Sequence, residues 1–210
     1  MSIHLDRFNR NLARVDSLCG LFEQTKQSTH RATVKEADIL RAAVVFLHSA
    51  LEDYLRGVIT EWLPQKGSTE ALNKIALLGT EGRSDKFSLG ALVAFKEMNI
   101  ADLLGASVEQ QMKKVSFNNF TDINHWTEKI GISLREYKAQ ETITLMITRR
   151  HKIVHEADAN RNSGSGNHYA ASISLKTVKV WKAAVVDLVN LIDTQIVNFK
   201  EDEVTNGAYL

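Results

Sequence analysis

The chain has 210 residues, of which 44% are hydrophobic, and a formal net charge of +1. That is enough apolar material for one substantial core, and the near-neutral charge excludes a global polycation. Any nucleic acid must therefore bind at a local patch or on a surface built by two subunits. One Pro and 11 Gly favour long helices, while the lone Cys19 excludes an internal disulfide and a cysteine zinc cluster.

The stretch Met1–Arg7 lacks the continuous apolar core of a signal peptide, and no apolar run approaches the ~18 residues of a membrane span. A cytoplasmic protein with no membrane partner is expected. The pattern predicts an all-α fold, an antiparallel helical bundle with long core helices and short accessory ones. It is read as one domain over residues 1–210, with an N-terminal amphipathic helix within 1–28 and a flexible tail over 200–210.

Leu5, Phe8, Leu12, Val15, Cys19 and Phe22 recur at three- and four-residue steps, predicting a first helix from Ile3 to Gln27. Its narrow stripe suits packing on its own bundle or on a second subunit equally. After the polar break Ser28–Thr33, a second helix runs from Val34 to Leu63 and is expected to stop at Pro64, which lacks an amide donor. Leu40, Val44, Leu47, Leu51, Leu55, Val58 and Trp62 form one face, making this the central helix.

Its other side carries Arg41, His48, Glu52 and Arg56. These fit a solvated face with Glu52 and Arg56 paired across one turn, worth about 0.2–0.5 kcal/mol. Alternatively, Glu52 or Asp53 orients a functional Arg or His from behind. A short helix over Thr69–Leu78, a basic loop over Gly79–Lys86, a helix over Ser88–Met98 and another over Asn99–Val115 follow. Gly82 and Gly90 make no phosphate loop, because no Gly-Lys-Ser/Thr follows and no strand precedes them.

Phe117, Phe120, Ile123 and Trp126 cluster beside Asn118, Asn119, Asn124 and His125. Aromatics at helical spacing anchor a core more often than they stack on exposed bases. Ser133 and Glu136 have capping-box spacing for a long helix reaching Arg149 and Arg150. Beyond the polar loop Asn160–His168, Ile173–Leu175 extends briefly, Thr177 is the expected cap, and Val178–Phe199 form the last helix.

The chemistry concentrates in Arg149-Arg150-His151-Lys152-Ile153-Val154-His155-Glu156-Ala157-Asp158. Arginines offer a fixed charge and a fork of donors for phosphate, and histidines can move a proton near neutrality. The pair is a minimum for RNA cleavage, in which the ribose hydroxyl is the nucleophile and neither metal nor cofactor is required. Two histidines one turn apart can also grip a metal with Glu156 or Asp158, although Arg149, Arg150 and Lys152 would repel a dication. A third reading is a basic helix end meeting the negative pole of the helix dipole.

Arg150, polar His151, three further residues and His155 resemble the Arg-polar-three-His signature of the HEPN superfamily. The segments Phe46–Leu55 and Phe117–Ile132, together with the return at Ile173–Leu175, are similar to its RiboL-PSP-HEPN branch. This resemblance implies a helical bundle that is often a ribonuclease, commonly a dimer with a composite active site, serving as a toxin or in phage defence with an antitoxin or defence partner. It implies catalytic Arg150, His155 and His151; the residues themselves add Arg149 and Lys152 for the phosphate or RNA and Glu52 or Asp53 in support. Departures are His151, where Asn often stands, and the extra charge of Arg149. On an ideal helix Arg150 and His155 lie about 140° apart, whereas His151 and His155 share a face. A non-catalytic module binding RNA, a nucleotide or a protein is the alternative.

Overall fold

The computed structural model describes residues 2–26, 32–80, 89–159 and 170–207. Among them are seven α-helices and one 3-10 helix, with a single isolated antiparallel bridge, Ala159 to Ala170. The fold is all-α. None of the described helices is long and apolar enough to cross a membrane.

The chain forms two compact units, Met1–Tyr54 with Asn118–Phe120 and Glu136–Leu210, and Leu55–Phe117 with Thr121–Arg135. The first is a helical bundle of α1 (Ile3–Thr25), the N-terminal part of α2 (Val34–Lys66), α6 (Gln140–Glu156) and α7 (Leu175–Gly207). Directions follow from the contacts. Ser2 donates to Asp193, while Asp16 pairs with Lys182 and Glu23 with Lys179, so α1 runs antiparallel to α7. Arg7 meets Asp53 and Arg14 lies over Phe46, so α1 is also antiparallel to α2.

Phe8, Val15, Cys19 and Phe22 are buried, and Phe8 meets Tyr54 edge-on at 5.8 Å. The α1 stripe therefore packs on its own bundle. Burial raises the Cys19 thiol, and the Asp16 carboxylate adds to that shift. Around it, Leu40, Val44, Leu47 and Leu51 of α2, Ile143, Met146 and Ile147 of α6, and Val185, Leu188 and Ile192 of α7 complete the core.

The start of α2 is fixed by a reciprocal capping box. Thr33 Oγ1 accepts the Glu36 amide at 3.2 Å and Glu36 Oε2 accepts the Thr33 amide at 2.6 Å. Pro64 does not end the helix, which continues to Lys66, and the Gly67 amide closes its last turn on the Leu63 carbonyl at 2.9 Å. A Cβ on Gly67 would stand 2.5 Å from that oxygen, so a glycine is required there.

In the second unit α3 spans only Thr69–Leu72, shorter than expected: the Lys74 and Ile75 amides tighten onto the Ala71 and Leu72 carbonyls, and the Leu78 and Gly79 amides bond Ser107 Oγ and Gln110 Oε1 of α4 (Ile100–Met112). Leu89–Phe95 is a 3-10 helix rather than α, and the expected loop over 81–86 lies outside the described residues. Phe117 and Ile123 are buried, the latter on α5 (Phe120–Glu128), as core anchoring requires. Trp126 lies partly open with the Lys129 ammonium 4.2 Å above its ring; burial lowers the affinity of that lysine for its proton.

The expected helix start at Ser133 is overturned. Ile130 to Ile132 instead close α5, the Ile132 amide bonding the Thr127 carbonyl at 3.0 Å with Gly131 at φ 82°, and Ser133 follows outside any helix. α6 begins at Gln140, without a side-chain cap. For α7 the capping oxygen is that of Ser174, which accepts the Thr177 amide at 3.1 Å, and the helix continues beyond Phe199 to Gly207.

Tyr137 donates to the Ala184 carbonyl at 2.6 Å, and burial pushes its hydroxyl up to about 12. The unfolded chain ionises near the ordinary value of 10 and the native state holds its proton longer, so this contribution is complete below pH 10 and lost between 10 and about 12. Tyr137→Phe is expected to cost about 1 kcal/mol in urea unfolding at pH 7, and to lose less stability than wild type over that alkaline interval.

Candidate functional site

α6 distributes its chemistry over three faces. Ile143, Met146 and Ile147 are buried, and Arg150 follows at the three- and four-residue steps that continue their stripe. Arg150 is therefore half-buried. Its Nε is shielded from solvent, and no described residue pairs with its guanidinium.

His151 and His155 lie on the exposed side with Thr144 and Thr148, their ring centroids 4.6 Å apart and tilted by 41°. The expected sharing of a face is met. Arg150 and His155 point about 140° apart within one chain.

Arg149 takes the third direction. Its Nη2 donates to Asp158 Oδ2 at 2.8 Å and to the carbonyls of Ala171 and Ser172 at 2.8 and 3.1 Å. Arg149, expected on RNA or phosphate, has that end of its fork engaged within the fold. Exposed Lys152 lies beside it.

Asp158 itself is 1% exposed and also accepts from Arg41 Nε at 2.7 Å. Arg41 is 8% exposed, and its remaining donors reach Asp38 Oδ1 at 2.9 Å and the Ala171 carbonyl at 2.8 Å. Two guanidinium groups thus share one carboxylate oxygen, while Oδ1 has no hydrogen-bond partner among the described residues. The Asp158 amide closes on Lys152 O and its carbonyl accepts from Ala171 N, at 2.9 and 2.8 Å. The node therefore ties the end of α6 to the chain that enters α7.

The supposed solvated face of α2 is a different object. Arg41 and His48 are buried, and His48 Nδ1 lies 3.8 Å from Glu52 Oε2. Asp53 holds Arg7 at 2.6 Å. Among the described residues neither carboxylate pairs with Arg150 or His155, the support expected of them. Arg56, within the second unit, donates to the Met112 and Val115 carbonyls.

Sequence reasoning missed Arg41 and treated Asp158 only as a metal ligand. The bonds joining Arg41 to Asp158 cross 117 positions, a separation no local pattern reveals. The described residues contain no group of three or more His, Cys, Asp or Glu side chains poised to hold a metal.

A groove of about 450 Å³ runs along α6 between Lys152 and Trp181. A larger cavity of about 970 Å³, around Phe22, Lys26 and Ile173, includes none of Arg150, His151 or His155 in its lining.

A model of the RiboL-PSP-HEPN family matches residues 9–198. The chain belongs to the RiboL-PSP-HEPN family. Neither the curated proteins nor the solved structures contain a match. Membership points to a ribonuclease or an RNA-binding module, and in this RiboL-PSP-HEPN chain the signature residues lie on the last two turns of α6.

Removing Asp158 leaves two arginines without their shared counter-charge. Asp158→Ala is expected to cost about 3–5 kcal/mol in chemical unfolding, as breaking a buried ion pair does; Arg150→Ala should cost far less in the same measurement.

Proposed function

We propose that this protein is a metal-independent endoribonuclease that cleaves RNA through its own 2′-hydroxyl. One observation carries the reading: of two adjacent arginines, Arg149 is engaged by Asp158, whereas half-buried Arg150 has no partner among the described residues. A guanidinium kept from full hydration without a counter-charge is suited to receive an anion. Arg150 holds the scissile phosphate, and Lys152 adds charge along the backbone.

His155 is the principal proton-transfer group and His151 its partner, one accepting the proton of the 2′-hydroxyl and the other protonating the leaving 5′-oxygen. The new bond joins the 2′-oxygen to phosphorus and the phosphorus–5′-oxygen bond breaks. The products are a 2′,3′-cyclic phosphate and a 5′-hydroxyl.

The 140° divergence of Arg150 and His155 favours a homodimer in which each cleft takes the arginine of one subunit and the histidines of the other. The physiological setting proposed is a cytoplasmic toxin or anti-phage effector held by an antitoxin or another defence component. The same divergence, in a chain that stays monomeric, favours the second reading, a module that binds RNA without cutting it.

Labelled single-stranded RNA should be cut, with and without EDTA, while matching DNA survives. His155→Ala and Arg150→Ala should each lower the rate by about 10²-fold or more. Mixing and reassociating the two inactive variants should restore about a quarter of wild-type activity, since half the dimers would carry one intact site of two. Equal activity of wild type and His155→Ala would refute the assignment.

A further inference from the structure

His151 and His155 are both exposed, and their ring centroids lie 4.6 Å apart. Beyond that ring contact neither imidazole pairs with any described residue, so their nitrogens are open to a ligand from outside. Neutral imidazole is the commonest protein ligand of borderline divalent cations. With Zn–N bonds of about 2.0–2.1 Å at a tetrahedral angle, two imidazoles on one zinc ion hold their ring centroids about 5 Å apart. The observed pair reaches that separation by opening about half an ångström, a small adjustment of exposed side chains on one rigid helix face.

The basic neighbours that would repel a dication are mostly directed elsewhere. Arg149 lies about 160° around α6 from His151 and about 120° from His155, and its charge is met by Asp158. Arg150 lies about 100° and 140° from the same two residues. Within the signature, exposed Lys152 stands nearest, about 60° from His155. Solvent and salt weaken its repulsion there. The carboxylates considered as further ligands are not free to join: Asp158 is committed to Arg41 and Arg149 and is closed to solvent, and Glu156 is engaged within the chain. Two protein nitrogens, with water completing the coordination, make a site that fills and empties reversibly, unlike the closed four-ligand site of a structural zinc.

We propose that His151 and His155 chelate Zn²⁺ and that the bound ion silences the protein. A nitrogen whose lone pair is held by zinc has none with which to accept the proton of the 2′-hydroxyl. A chain whose chemistry uses no metal is thereby restrained by one. The silencing rests on the ribonuclease reading, but the chelation is measurable without cleavage.

The test titrates the full-length protein with zinc chloride and follows binding by calorimetry, with magnesium chloride as the hard-cation control. Zn²⁺ should bind and Mg²⁺ should not, since Mg²⁺ takes oxygen ligands. His151→Ala and His155→Ala should each weaken Zn²⁺ by about tenfold or more, because either leaves a one-point grip. His125→Ala, which removes another exposed histidine, should leave the affinity unchanged. No zinc binding, or zinc binding untouched by both α6 variants, would overturn the site. Cleavage of labelled RNA measured in parallel separates the two proposals. Zinc at saturation should stop wild-type cleavage and EDTA should restore it; cleavage that persists with the ion bound refutes the silencing. Histidine-dependent zinc binding in a protein that never cuts RNA sinks the nuclease and leaves the chelate standing, whereas cleavage without zinc binding does the reverse.

Discussion

A carboxylate almost wholly removed from water between two guanidinium groups holds the functional end of α6 in place. Burying Asp158 alone would be prohibitive, and the attraction of Arg41 and Arg149, with the hydrogen bonds they make, offsets that desolvation. The net gain over a well-packed apolar substitute is small for such groups, so the node is better understood as a specifier than as a source of stability. It specifies the position of one helix end. Arg41 comes from α2, Arg149 from α6, and both donate to the Ala171 carbonyl, while Asp158 O receives the Ala171 amide. Three separate stretches of chain are thereby brought to one point beside the histidines.

This arrangement divides labour between neighbours that look equivalent. Arg149 and Arg150 have the same chemistry and successive positions, but one step along an α-helix turns the side chain by about 100°. That rotation sends Arg149 to Asp158 and leaves Arg150 along the stripe begun by Ile143, Met146 and Ile147. A basic helix end answering its own dipole would need neither distinction. The proposed chemistry follows from the difference in partners rather than from the number of charges.

Much of the fold was legible because it is periodic. The three- and four-residue recurrence of Phe8, Val15, Cys19 and Phe22, and of Leu40, Val44, Leu47 and Leu51, identifies buried helix faces directly. Capping was not legible: the Thr33 and Glu36 box lies in what reads as a polar break, the cap of α7 is Ser174 rather than Thr177, and the Ser133 and Glu136 pair has capping-box spacing just after the turn at Gly131 that closes α5. The face shared by His151 and His155 follows from spacing alone. The Arg41–Asp158 link does not, because side chains 117 residues apart meet only through the packing of the whole unit. Exposure was misjudged for Arg41 and His48 for the same reason, since a polar residue beside an apolar stripe reads as solvated until its partner is known.

Ala157 and Asp158 close α6 with φ of 49° and 56°, both in the left-handed region that glycine enters freely and that costs other residues about 1–2 kcal/mol each. Two consecutive L-residues in that state make the turn a loaded spring, restrained by the ion pairs at its far side. Relaxation of that turn would unwind the last residues of the helix and carry His155 with it. The placement of His155 and the integrity of this one turn are consequently a single cooperative property, held from a distant stretch of chain by Arg41.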